Sequence, residues 1–223
     1  MSSELLELLK NAFLQILIPG LKITIPLTIL SFAVAFVIAV LVALVQYANV
    51  PVLKQLSRFY IWIVRGTPLL VQLYVVFYGL PSFGILIPAF PCAVFVFGFN
   101  EGAYMAETIR GSLEAVPKGQ LEAGYCVGMN YVQIISRIVM PQALRTAFPS
   151  LSNSFISMLK ETSLAASITV TEMFRQAQII NAVVYQPLWL YMEAAIIYLI
   201  FCTVLTWVQK VCEKRLNAYG GVR

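Results

Sequence analysis

Residues 117–141 read PKGQLEAGYCVGMNYVQIISRIVMP, the longest stretch between strongly apolar segments that is itself neither apolar nor disordered in composition. Pro117 suits the first turn of a helix, where its missing N–H removes no intrahelical bond, and Gly128 is a natural place for that helix to stop. Together they predict a helix of about three turns over 117–128. Leu121 and Tyr125 fall one turn apart on one side of it, and Ala123 and Gly124 leave a low surface that another protein can approach closely. Two readings fit: a docking helix, or an interfacial helix that turns the chain around between two membrane spans.

Membrane spans are expected on both sides of this stretch. Of 223 residues, 60% are hydrophobic and only 11% charged, which places the chain among polytopic membrane proteins rather than soluble domains. No charge occurs between Lys22 and Lys54, or between Arg65 and Glu101, and each gap exceeds the roughly 20 residues a spanning helix needs. Spans are predicted at about 21–46, 58–80, 88–111, 138–163 and 188–210. Ser3 to Leu17 is weakly amphipathic and is expected to lie on the membrane surface, set off from the first span by Pro19-Gly20. Glu4 and Glu7 precede the first apolar run and no small-residue cleavage site follows it, so that span is expected to stay in the mature protein. Gly79, Pro81, Gly84 and Pro88 mark a loop or re-entrant turn after the second span.

Five spans place the two ends on opposite sides, and the basic residues orient them. Lys54 and Arg58 precede span two; Arg110, Lys118, Arg137 and Arg145 surround the 117–141 stretch; Lys210, Lys214, Arg215 and Arg223 follow span five. These belong on the cytoplasmic side, so the net charge of +5 reflects orientation rather than nucleic-acid binding. The chain cannot cradle ATP in a P-loop, since no lysine is followed by Ser or Thr. With no histidine and no C-x-x-C spacing among Cys92, Cys126, Cys202 and Cys212, a structural metal is not expected. Five spans give one chain too little wall to enclose a pathway, so a two-fold dimer is expected.

Several polar groups sit at membrane depth, where each costs several kcal/mol unless paired or facing water. Arg65-Gly66-Thr67-Pro68 lies inside span two; a kink there would free a carbonyl for Arg65 or Thr67 to satisfy. Glu107 and Arg110 lie three residues apart on one helical face and are expected to pair. Lys160 and Glu161 are adjacent, about 100° apart around the helix, so they cannot both face one cavity squarely. Glu161 is the candidate partner for a cargo ammonium, with Asn153, Ser157 and Thr162 supplying hydrogen bonds and Asn100 and Glu101 as further candidate substrate-binding residues. An internal salt bridge that only orders the bundle is the competing reading for Glu161.

The spacing Glu122-Ala123-Gly124, Gly128, Ile138 and Met140-Pro141 resembles the E-A-A, G, I-x-L-P signature of ABC importer permeases, departing from it at Gly124 and Met140. Arg65-Gly66-Thr67-Pro68-Leu69-Leu70 with Gln72 resembles the R-G-T-P-L-L-x-Q motif of the polar amino acid permeases, and Ala103-Tyr104, Ala106-Glu107 and Arg110 follow their A-Y-x-A-E-x-x-R pattern. Leu151 to Ser157, Lys160 to Ala166 and Phe174 to Gln178 are similar to the cystine-importing members. The resemblance implies an all-α membrane protein with about five transmembrane helices in the MetI-like type I ABC importer permease arrangement, one permease domain over 1–223. It further implies a cytoplasmic coupling helix through which Pro117, Lys118, Gly119, Leu121, Glu122, Ala123, Gly124 and Gly128 meet an ABC ATPase dimer. ATP and Mg would then belong to that partner, with no cofactor on this chain. The other implied partners are an extracytoplasmic amino acid-binding protein, a second copy of the chain and membrane lipid, in the bacterial cytoplasmic membrane, with L-cystine as cargo. The alternative from another class is an ion-gradient-driven transporter using Glu101 or Glu161 as a relay. A channel lacks a filter sequence, and a membrane enzyme lacks a metal constellation or an activated serine.

Overall fold

In the computed structural model, residues 3–218 are described, with side chains from 7 to 216; Arg223 and the side chain of Glu4 lie outside them. The described residues form α1 (Ser3–Pro19), α2 (Ile25–Tyr47), α3 (Pro51–Arg65), α4 (Leu69–Tyr74), α5 (Ala89–Glu114), α6 (Lys118–Cys126), α7 (Tyr131–Ile134), α8 (Met140–Glu161), α9 (Met173–Val184) and α10 (Pro187–Ala218). Glu7–Tyr47 and Pro187–Leu216 are long and apolar enough to cross a membrane. Helices α5 and α8 coincide with the predicted third and fourth spans but are more polar, carrying Glu101, Glu107, Lys160 and Glu161.

The expected separation at Pro19-Gly20 does not occur. Helix α1 continues through a five-residue π turn, Gly20–Thr24, into α2, giving one helix of 41 residues from Glu7 to Tyr47. At 1.5 Å per residue this is about 60 Å, twice the hydrocarbon thickness of a bilayer. Its first part does not lie free on a surface: Ala12 and Ile16 are buried with Met173, Ala177, Leu190, Ala194 and Ile197 of α9 and α10. Gly20 marks the close approach, since a Cβ there would lie 2.6 Å from Met173 Sδ.

Three π turns share one cause. Gly20–Thr24, Val75–Gly79 and Ile135–Val139 each end two residues before a proline, respectively Pro26, Pro81 and Pro141. Proline has no N–H and its ring collides with the carbonyl four residues back, so widening the preceding turn relieves the clash without breaking the rod.

The centre of the bundle is the contact between α2 and α5. Ser31, Ala35, Ala39 and Ala43 repeat every four residues along the buried face of α2. Opposite them α5 presents Gly98 and Gly102, where an added Cβ would lie 2.7 Å from Val34 Cγ1 and 2.9 Å from Ile38 Cγ2. Small side chains on both helices let the backbones approach closely, which is how helices pack where lipid removes the hydrophobic drive. Helix α8 also packs on α5, and these three helices hold most of the largest buried cluster.

The second predicted span is not one helix. Helices α3 and α4 meet at a bend of 102° across Gly66-Thr67-Pro68. Pro68 is extended (φ −66°, ψ 137°), as the residue heading a new helix must be, and α3 ends at Gly66.

Candidate functional site

The break is held by side chains of the same motif. Thr67 Oγ1 donates to Ile63 O at 2.9 Å, and Gln72 Nε2 reaches back to Val64 O and Thr67 Oγ1, both at 2.8 Å. Asn100 Nδ2 of α5 in turn donates to Gln72 Oε1 at 3.0 Å. Carbonyls freed by the bend are thus satisfied internally, as a low-dielectric setting requires. The carbonyl four residues before Pro68, Val64 O, is taken by Gln72; Thr67 satisfies Ile63 O instead, and Arg65 satisfies neither. The tie made by Gln72 was missed, although the residue stands within the quoted motif.

With its carbonyl duty taken by others, Arg65 faces an open cleft of about 960 Å³ between the break, α5 and α8. Glu101, Tyr104, Glu107, Asn153, Ser154, Ser157 and Glu161 share that lining with it. Asn100 lines the same cleft, 6% exposed, its amide committed to Gln72. The spacings are helical: Asn153, Ser157 and Glu161 follow at intervals of four along α8, one face turned to the cleft. Lys160 is exposed and absent from this lining, so of the adjacent pair it is Glu161 that faces the cleft. Thr162 is a correction: it is fully buried, its hydroxyl donates to Leu159 O at 2.7 Å, and it does not line the cleft. The reason is that α8 ends at Glu161 and tightens into a 3₁₀ segment, Thr162–Ile168, which turns the next side chain inward.

Charges in the cleft divide into paired and unpaired. Glu107 is tied to Arg110 at 2.8 Å, the expected ion pair, and Arg110 also bridges to Glu114 at 2.7 Å. Glu101 and Glu161 form no salt bridge among the described residues, and neither does Arg65.

After a connection of three residues from α5, Lys118 begins α6, which has Pro117 at its N-cap and ends in a Schellman motif. Gly128 N donates to Tyr125 O and Met129 N to Gly124 O, both at 3.0 Å, with Gly128 left-handed at φ +79°. Asn130 and Gln133 then form a capping box that starts α7. Two details differ from expectation. Leu121 packs toward the core while Tyr125 is 53% exposed, so the two do not share a free side. Gly124 is buried against Ile134 rather than outward, so its small size serves packing within the chain. Lys118, Gly119, Glu122 and Ala123 are exposed, as are the apolar side chains of Tyr125, Val127, Tyr131 and Val132.

Over residues 35–218 the sequence matches the family described as binding-protein-dependent transport system inner membrane component. The chain belongs to that family. Among its relatives, the permease is 47% identical over 214 residues to the L-cystine transport system permease protein TcyB of Bacillus subtilis (strain 168), covering 96% of this chain and 92% of that one. It is 38% identical over 212 residues to the L-cystine transport system permease protein TcyL of the same organism, covering 92% and 89%. A chain from the crystal structure of an amino acid ABC transporter with histidines superimposes with a TM-score of 0.86 at 34% identity, covering 96% of this permease and all (100%) of that chain. The permease is therefore a transport subunit and not the ATPase, and the ion-gradient alternative falls, because its relatives and its structural neighbour are components of ABC systems.

Proposed function

We propose that this permease imports an amino acid, L-cystine, as a two-fold dimer served by an ABC ATPase pair and an extracytoplasmic binding protein. The observation that carries the reading is that one helix joins a polar cleft to an exposed helix: α5 lines the cleft with Glu101 and Tyr104 and runs, within three residues of its end, into α6. A shift of α6 on a nucleotide-driven ATPase would move the cleft wall with it, which is the mechanical requirement for alternating access. The exposed apolar group around Tyr125, Val127 and Val132 is suited to a protein cleft. Glu161 is the partner for the cargo ammonium, with Glu101 beside it and Asn153 and Ser157 along the same wall. Cystine as the cargo is supported by the two cystine-permease relatives. The basic residues Lys118, Arg137 and Arg145 support a cytoplasmic position for α6.

The test is reconstitution of the permease with its ATPase and binding protein in liposomes, followed by uptake of labelled cystine and a panel of other amino acids. Cystine uptake that needs ATP and survives ionophores is expected. Uptake that ignores ATP, or collapses with the ion gradient, overturns the mechanism; preference for another amino acid overturns the cargo.

A further inference from the structure

A zwitterionic head needs two partners, and the reading above supplies only one of them. Glu101 and Glu161 can meet an ammonium, yet a carboxylate entering the same cleft finds in them no cation to pair with. Among the acidic and basic residues that line the cleft, Arg65, Glu101, Glu107 and Glu161, only Arg65 is a cation. Its guanidinium enters no salt bridge or hydrogen bond with another described side chain. It is not loose, however: its central carbon lies 5.1 Å from the centroid of the Tyr104 ring, a distance at which the ring face attracts the cation and leaves the donor edge of the fork free. Tyr104 follows Glu101 by three residues, so the platform under Arg65 lies about 4.5 Å farther along α5 than the acidic group. The 102° break directly after Arg65 directs α4 away, leaving the end of α3 open to the cleft.

We propose that Arg65, stacked on Tyr104, receives the α-carboxylate of the cargo while Glu161 and Glu101 receive its ammonium. The inference rests on the amino acid reading above and adds the determinant that selects an α-amino acid over a simple amine. A planar fork matches a carboxylate with two parallel hydrogen bonds, whereas an ester offers neither the charge nor the paired acceptors.

The experiment measures binding of labelled cystine to the detergent-solubilised permease–ATPase assembly without the binding protein, with unlabelled cystine or cystine dimethyl ester as competitor. Wild type is expected to favour cystine over its ester by about tenfold or more. In Arg65→Gln this preference should vanish through weaker cystine binding with ester binding unchanged, and Arg65→Lys should retain only part of it. A ratio in Arg65→Gln equal to that of wild type overturns the proposal. If Arg65→Gln fails to assemble, Tyr104→Leu gives the second reading: a reduced preference is expected, and an unchanged one overturns it. Should wild type bind another labelled amino acid instead of cystine, the cystine reading fails, and Arg65 is tested with that amino acid and its methyl ester. No binding of any of them overturns both.

Discussion

Gly124 packs directly on Ile134: a Cβ at position 124 would stand 2.7 Å from Ile134 Cγ1 and 3.0 Å from Cδ1. The contact fixes α6 to the end of α7, just before the π turn that leads into α8. Gly124→Ala is therefore expected to force Ile134 aside and to destabilise the assembly by about 1–3 kcal/mol, the usual cost of overpacking. Thermal unfolding of the purified assembly measures it. Gly124→Ala combined with Ile134→Ala should lose less than the sum of the two single losses, because the second change makes room for the first.

Gly128 is required for its backbone, not for space, since nothing lies within 4 Å of a Cβ built there but its φ is +79°. Gly128→Val should cost about 1–2 kcal/mol at the end of α6 and reduce the amount of ATPase that co-purifies. Gly128→Asn should behave nearly as wild type, because Asn tolerates the left-handed region. Equal loss in both variants would point to a contact rather than to strain.

Gln72 closes the break in the second span. Gln72→Ala leaves Val64 O without its side-chain donor and Asn100 Nδ2 without its acceptor, at an expected cost of about 1–3 kcal/mol for buried groups left unpaired. Loss of assembly stability should accompany any loss of uptake. Normal stability with lost uptake would show that Gln72 acts on the cargo instead.

Glu161 should behave in the opposite way. It faces the cleft without a salt-bridge partner among the described residues, so Glu161→Gln strands no buried cation. Assembly yield should stay at the wild-type level while uptake falls about tenfold or more, through loss of a charge-assisted bond to the ammonium. A fall in yield together with uptake would assign Glu161 to a structural pair, and unchanged uptake would remove it from the pathway.

What the sequence determined by itself was the part that depends on neighbours along the chain. Pro117 and Gly128 bound α6 because φ limits and a missing N–H act within one residue, and Glu107 meets Arg110 because an i,i+3 spacing suffices. Span five was legible because a long, nearly uncharged run has no other stable place than lipid or a core, while for spans three and four it was the bounds of α5 and α8 that the sequence marked. The family was legible because three motifs keep their spacing.

Tertiary structure decided the rest, wherever a residue's role depends on what stands opposite. The second span reads as continuous until Gln72 and Asn100 are seen holding a 102° bend open. Pro19-Gly20 reads as a break, yet a π turn carries the helix through it because Met173 and the α9–α10 packing hold the first turns in place. Helical spacing put Leu121 with Tyr125, and only the position of the core separated them. Likewise no property of Thr162 alone reveals that a 3₁₀ turn begins there and takes it from the cleft, leaving Glu161 facing it.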